Sequence, residues 1–135
     1  MATAYSATPL FRKLGLKPGM RAIVLNPPEH YRALLSTDAA DVDWAGEMCQ
    51  GLQFIHLFTI SAAELQSLLP VSLDHLDRAG MIWVSWPKKA SKLPTDIVEE
   101  VIRTHCLPLG LVDVKVCAVD ETWSGLKLMI RTELR

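Results

Sequence analysis

Apolar residues occur along the chain in two patterns. Short continuous runs predict strands, and apolar residues at helical spacing predict the helices between them. Residues 22–25 and 52–60 are predominantly apolar, which is typical of parallel strands that are covered on both faces. Residues 81–85 form a third run of this kind. A helix between the last two runs is predicted by apolar residues at helical spacing: Leu65, Leu68, Leu69, Leu73 and Leu76.

Turn and capping residues set the boundaries of these elements. Residues 26–28 read Asn-Pro-Pro and must end the first strand, because proline has no N–H to give to a neighbouring strand. Ser61 and Glu64 form a capping-box pattern that begins the next helix. We expect Pro70 to kink or divide that helix, and residues 79–80, Ala-Gly, to end it.

The last third of the chain predicts one more helix and a hairpin. Pro94 and Thr95 open the helix, and its inward positions are Ile97, Val98, Val101 and Ile102. Residues 111–119 and 126–131 predict two antiparallel strands, joined by a hairpin tip at residues 120–125.

These elements predict one α/β domain over residues 1–135. Its architecture is a three-layer Rossmann-like sandwich, with a mostly parallel sheet and a C-terminal antiparallel hairpin. We expect residues 1–7 to form a flexible tail. Residues 36–51 mix acidic residues with Trp44 and hold either one short strand near Val42 or none.

Composition narrows the class of protein. The formal net charge is −1, so no basic field favours nucleic acid. No apolar run reaches the roughly 18–20 residues that a membrane helix needs, and the first residues lack the pattern of a signal peptide. The three cysteines are widely spaced, as expected in a reducing cytoplasm. No metal-binding spacing of Cys or His is present.

Residues 14–21, LGLKPGMR, resemble the run that precedes the first strand of class I S-adenosylmethionine-dependent methyltransferases. The resemblance implies a Rossmann-like sheet with the cofactor at the end of its first strand. In that family an acidic residue and a Gly-x-Gly-x-Gly loop follow. Here Val24 stands at the acidic position, and Asn26, Pro28 and His30 stand at the three glycines. We therefore expect no S-adenosylmethionine cofactor.

The chain also resembles a family of small bacterial proteins of unknown function. The shared passages are residues 17–19, 25–29, 84–89 and 116–127. This resemblance implies the same Rossmann-like fold and supplies no activity.

The carboxyl ends of parallel strands lie on one edge of a sheet, where open α/β folds bind ligands. Three loops and one strand end should converge there. Aromatic walls with a few charged groups are typical of small-molecule pockets. The candidate ligand-binding residues are Asn26, Glu29, His30, Tyr31, Ser85, Trp86, Lys88, Lys89, Asp120, Glu121 and Trp123, with Ser61 beside them.

Each candidate has a structural alternative. Lys88 and Lys89 form either an anion clamp or a solvated loop. His30 is either a general base or a surface residue. Asp120 and Glu121 either share acid–base work or serve the geometry of the turn. Trp86 and Trp123 either stack on a ligand or pack in the core. His56, within an apolar strand, is interpreted as a core residue.

Three functions from different classes follow. The leading hypothesis is a degenerate, non-catalytic methyltransferase-like module that binds a small anionic ligand or a protein partner. The alternative is an enzyme with a rebuilt site, a methyltransferase or other transferase. It would use His30 or Asp120 and Glu121 in acid–base roles, with Lys88 and Lys89 as a clamp. The third is a structural protein that forms oligomers.

Overall fold

Six strands form one mixed sheet in the computed structural model, which describes residues 9–135 except for the side chains of residues 37–39. The strands are β1 (Arg21–Leu25), β2 (Asp43–Trp44), β3 (Leu52–Phe58), β4 (Leu76–Pro87), β5 (Leu111–Ala118) and β6 (Trp123–Ile130). Their order is β2-β1-β3-β4-β6-β5. Strands β1 to β4 are parallel to one another, whereas β6 runs antiparallel to β4 and β5. The predicted fold class is confirmed. The predicted tail, residues 1–7, lies outside the described residues.

Helices cover both faces of the sheet. They are α1 (Leu10–Lys13), α2 (Tyr31–Leu35), α3 (Ala62–His75) and α4 (Glu99–Cys106). Leu65 and Ile102 place α3 and α4 on a core that includes Ile55 and Leu128. The opposite face carries a second core, formed by α1, α2 and aromatic side chains of the sheet. Its largest members are Phe11, Tyr31, Phe54, Phe58 and Trp83.

The predicted start of α3 at Ser61 is confirmed, but only half of the capping box forms, because the Ser61 N–H donates to the Thr59 hydroxyl and not to the Glu64 carboxylate. The Ser61 hydroxyl accepts the backbone N–H of Glu64 at 3.2 Å, which pairs one of the donors that every helix start leaves free. The helix then runs through Pro70 without a break. The expected division at that residue is therefore wrong, since flanking turns hold the helix where proline removes one hydrogen bond.

The end of α3 also differs from the prediction. The helix ends at His75, and residues 79–80 lie inside β4. The strand begins early because Leu76 pairs with Leu52, ahead of a register shift in the β3–β4 pairing. Gly80 fits there because a Cβ atom would lie 3.0 Å from the carbonyl oxygen of Asp77 and 3.1 Å from that of Gln53.

Helix α4 starts at Glu99, later than predicted, and Val98 is exposed. Thr95 explains the delay, because its hydroxyl donates to the Ile60 carbonyl at 2.8 Å and accepts the Ile97 N–H at 3.1 Å. The local bond to the Ile97 N–H competes with helix formation, and the bond to Ile60 holds Thr95 outside the helix.

Two further boundaries differ. The hairpin tip is shorter than predicted, because the N–H groups of Val119 and Asp120 both donate to the Trp123 carbonyl, at 2.9 and 3.3 Å. Trp123 consequently belongs to β6. Between β1 and β3, the chain forms a 3-10 turn at Ser36–Asp41 and the two-residue strand β2, which settles the open question in favour of one short strand.

Candidate functional site

The ends of β1, β3 and β4 and the tip between β5 and β6 lie together at the carboxyl edge of the sheet. The Thr59 N–H, just past β3, donates to the Ser85 carbonyl at 3.0 Å. The Lys88 N–H, just past β4, donates to the Thr122 carbonyl in the hairpin tip at 2.8 Å. Backbone hydrogen bonds thus join the end of β3 to β4 and the end of β4 to the hairpin tip.

A histidine–carboxylate pair joins two of these loops. His30 immediately precedes α2, and its Nε2 lies 2.8 Å from Oδ2 of Asp120. Oδ1 of Asp120 accepts the N–H groups of Thr122 and Trp123, at 2.8 and 2.7 Å. The His30 side chain is 53% exposed, whereas that of Asp120 is only 14% exposed. The Asp120 carboxylate is therefore held in place, whereas the His30 ring faces solvent.

The charge of Asp120 follows from these contacts. Burial raises the pKa of Asp120, but the hydrogen bonds from His30 and the two backbone N–H groups outweigh burial and leave it below its usual value. An ionised Asp120 orients the His30 ring through Nε2, and Nδ1 is the ring nitrogen that does not contact this carboxylate.

Two other predicted site residues are buried beside this pair. The Tyr31 hydroxyl lies 2.9 Å from Nδ1 of His56, and Nε2 of His56 lies 2.7 Å from the Ser85 hydroxyl. Phe58 stacks on the same imidazole, with ring centroids 4.3 Å apart. Burial lowers the pKa of His56 to about 3 and raises that of Tyr31. These three polar residues form a neutral, closed chain inside the core.

The strand order reverses between β1 and β3, which is where open α/β sheets bind ligands. Glu64 lies at this point: one carboxylate oxygen accepts from the Thr59 hydroxyl, and the other lies 3.5 Å from the side-chain nitrogen of Asn26. Asn26 has a φ of 56°, the left-handed region that favours glycine. The sequence signal for Glu64 was its place in the capping box, which concealed its second role.

A lysine-lined cavity of about 290 Å³ opens at the end of β4. Lys88, Lys89 and Lys92 border it, and Trp86 forms part of its floor while being only 7% exposed. No described carboxylate forms an ion pair with these three lysines. Trp86 belongs to the core under α3 and α4, so this cavity lies on the face opposite the His30–Asp120 pair.

The remaining predicted site residues either lie at the surface or pack against the core. Glu29 and Glu121 are exposed. Trp123 packs edge to face on Phe58, with centroids 5.1 Å apart. Across the described residues no group of three or more acidic, His or Cys side chains is arranged to hold a metal. The same part of the chain includes no helix with the length and hydropathy needed to cross a membrane.

Comparison by sequence finds neither a protein-family model nor a curated protein that matches the chain. Comparison of folds does find matches. One is an S-adenosylmethionine-dependent methyltransferase from Thiobacillus denitrificans in complex with S-adenosyl-L-homocysteine, with a TM-score of 0.60, 12% identity, and coverage of 90% of this chain and 89% of that one. The chain has the Rossmann-like fold of methyltransferases.

Two more solved structures support the same fold. The N-methyltransferase NodS from Bradyrhizobium japonicum matches with a TM-score of 0.57 and 10% identity, over 88% of this chain and 90% of that one. The ribosomal protein L11 methylase from Lactobacillus delbrueckii subsp. bulgaricus matches with a TM-score of 0.55 and 13% identity, over 90% and 74%.

These matches correct one expectation. The sequence favoured a module without catalytic activity, because the glycine positions of the cofactor loop hold other residues. That expectation is contradicted, since several solved structures that share the fold are methyltransferases. Identities of 9–13% describe the fold alone, and the reaction of this chain is therefore taken from its own site.

Proposed function

We propose that the protein is an enzyme that transfers a group to a small anionic molecule, with His30 as its general base. The observation that carries this proposal is the hydrogen bond between His30 Nε2 and Asp120 Oδ2, 2.8 Å long. A fixed, partly buried carboxylate behind a solvent-facing imidazole is the arrangement by which a histidine is oriented for proton transfer. A merely solvated histidine needs no such support.

The proposed step balances as follows. Nδ1 of His30 takes a proton from a hydroxyl or amine of the substrate, and the freed electron pair forms a bond to the transferred group of a donor. The bond between that group and the donor breaks, and its electron pair leaves with the donor. Asp120 stabilises the imidazolium that forms. General-base catalysis of this kind contributes about 10²–10⁴ in rate.

The lysine-lined cavity supports an anionic substrate. Lys88, Lys89 and Lys92 meet there without a described acidic partner, and a phosphate or carboxylate group would neutralise them. The Lys88 N–H is bonded to Thr122, two residues from Asp120. A substrate that reaches across this edge could therefore place its anionic group among the lysines and its reacting atom near His30.

The residues after β1 do not fit S-adenosylmethionine in the position that the fold implies. Pro27 and Pro28 offer no N–H donors, and residues 26–30 contain no glycine that would let a cofactor approach the backbone. Asn26 reaches towards Glu64 across the point of strand reversal. The proposed proton transfer therefore uses side chains of this chain, and the separate donor molecule that supplies the transferred group is not S-adenosylmethionine bound at this loop.

The experiment that tests the proposal is a substrate screen with matched variants. The full-length protein is incubated with a small-molecule extract, and mass spectrometry follows which compounds disappear and which appear. His30→Ala should slow the conversion by about 10²-fold or more. His75→Ala is the control, because His75 is a half-buried histidine whose described hydrogen bond stays within its own helix, at the Val71 carbonyl.

The outcomes separate the possibilities. Equal conversion by the protein and by His30→Ala refutes the role of His30, and an extract that stays unchanged argues against an enzyme. A thermal-shift titration addresses the cofactor. Stabilisation by S-adenosylmethionine, which reaches about 2.7 kcal/mol at a hundred times Kd, would show that the residues after β1 accept it after all.

A further inference from the structure

A second cluster of cations lies on the face of the sheet that carries α1 and α2. Its members are Arg12, Lys13, Lys17, Lys115 and Lys127, and we call them the α1 cation cluster. The Lys115 ammonium donates to the Lys13 carbonyl at 3.2 Å. The Lys127 ammonium lies 3.8 Å from the position that a Cβ atom of Gly15 would take.

The cluster has no counter-charge among the described residues. None of the described ion pairs includes any of its five members, and residues 1–8 contain no Asp or Glu. Lys115 and Lys127 are direct partners across the β5–β6 pair. Like charges placed opposite each other on a sheet destabilise it.

The surroundings of Lys127 increase the free-energy cost of placing it opposite Lys115. Lys127 is half-buried, and along the same face of β6 Gly125 is buried and Met129 packs against the second core. Burial and the charge of Lys115 both lower the pKa of Lys127. A bound anion would offset both the repulsion between the two lysines and the cost of burying the Lys127 ammonium. Water does this only in part, because Lys127 is half-buried.

A cavity of about 380 Å³ adjoins the cluster. Arg12 and Lys17 stand at its border, and Phe11, Gly15, Leu16 and Pro18 complete its lining. The volume lies in the range of small-molecule sites, and the lining is mostly apolar apart from the two cations. A ligand that fits must therefore combine an apolar body with a negative charge.

We propose that this cavity is a binding site for an organic anion, a phosphate or carboxylate joined to an apolar or aromatic body. The body packs on Phe11 and Leu16, and the anionic group pairs with the α1 cation cluster near Gly15. The site goes beyond the proposed function, because it lies by α1 and the β5–β6 pair and shares no residue with the His30–Asp120 pair or the lysine-lined cavity.

Calorimetric titration of the full-length protein tests this site with simple probes. These are 2-naphthyl phosphate, 2-naphthoate, the neutral 2-naphthol and inorganic phosphate. We expect one or both aromatic anions to bind more tightly than 2-naphthol and inorganic phosphate. Lys127→Gln and Lys115→Gln should each weaken that binding by about ten-fold. Lys89→Gln reports binding in the lysine-lined cavity, and binding at the site by α1 should lose less in this variant than in Lys127→Gln.

Thermal unfolding without ligand separates lost binding from lost folding. Lys115→Gln removes a like-charge neighbour and should melt at the same temperature as the parent or higher, so weaker binding by this variant cannot be blamed on unfolding. Binding of the phosphate alone, or of the carboxylate alone, supports the site and identifies its chemistry. Equal binding of 2-naphthol, equal binding of inorganic phosphate, or a larger loss in Lys89→Gln than in Lys127→Gln overturns the proposal.

Discussion

Replacing Ser85 with alanine removes a single hydroxyl from the buried chain that Tyr31, His56 and Ser85 form. The Ser85 hydroxyl lies 2.7 Å from Nε2 of His56, and both side chains are fully buried. Since water cannot take the place of the hydroxyl, one ring nitrogen is left without a partner. An unsatisfied buried polar group costs about 1–3 kcal/mol, and we expect the free energy of unfolding to fall by that amount.

Ser72→Ala is the matched control. The Ser72 hydroxyl is equally buried, but it donates to the Leu68 carbonyl at 2.8 Å within α3. A helix carbonyl also has a backbone N–H donor four residues on, so its removal leaves no buried group unpaired. We expect a loss of no more than about 0.5 kcal/mol.

Urea unfolding of the two variants measures the difference. Ser85→Ala should lower the midpoint without changing the m value, and its melting temperature should fall by about 4 °C for each kcal/mol. If Ser85→Ala loses no more stability than Ser72→Ala, the hydrogen bond to His56 does not contribute to folding, and the description of the chain as a closed polar unit is wrong.

Two other predictions concern pH and packing. Because the pKa of His56 is lowered to about 3 in the folded protein, stability is full above pH 6.5 and falls by about 1.4 kcal/mol per unit as the pH drops towards 3. His56→Gln should flatten that slope, which urea unfolding at several pH values detects. Gly80→Ala forces a Cβ atom to within 3.0 Å of the Asp77 carbonyl oxygen and should cost about 1–3 kcal/mol. Gly46→Ala, where nothing lies within 4 Å, should change the melting temperature little.

Local patterns predicted those parts of the fold that depend on local chemistry. Strands β1 and β3 follow from apolar runs, and the start of α3 follows from Ser61, because its hydroxyl accepts an N–H only three residues along the chain. Where long-range contacts decide, the predictions failed. Leu76 begins a strand because it pairs with Leu52, and Thr95 delays α4 because it bonds to Ile60.

The candidate site shows the same division. Topology alone brings the strand ends to one edge, so the general location could be predicted. The pairing of His30 with Asp120 joins residues 90 positions apart, and no spacing rule reveals it. Alternation along β4 could have shown that Ser85 and Trp86 face opposite sides of the sheet, which places the lysine-lined cavity and the histidine on different faces.

The two histidines at this edge differ because their surroundings differ. His56 is enclosed by aromatic rings and hydroxyls and stays neutral, whereas His30 faces solvent with an ionised carboxylate behind it. Tyr31 connects them: it follows His30 in sequence and anchors the start of α2 to His56. A short helix of five residues has little stability of its own, so this buried hydrogen bond helps to hold the start of α2, which directly follows His30. The closed polar chain in the core is therefore the structural support of the proposed base.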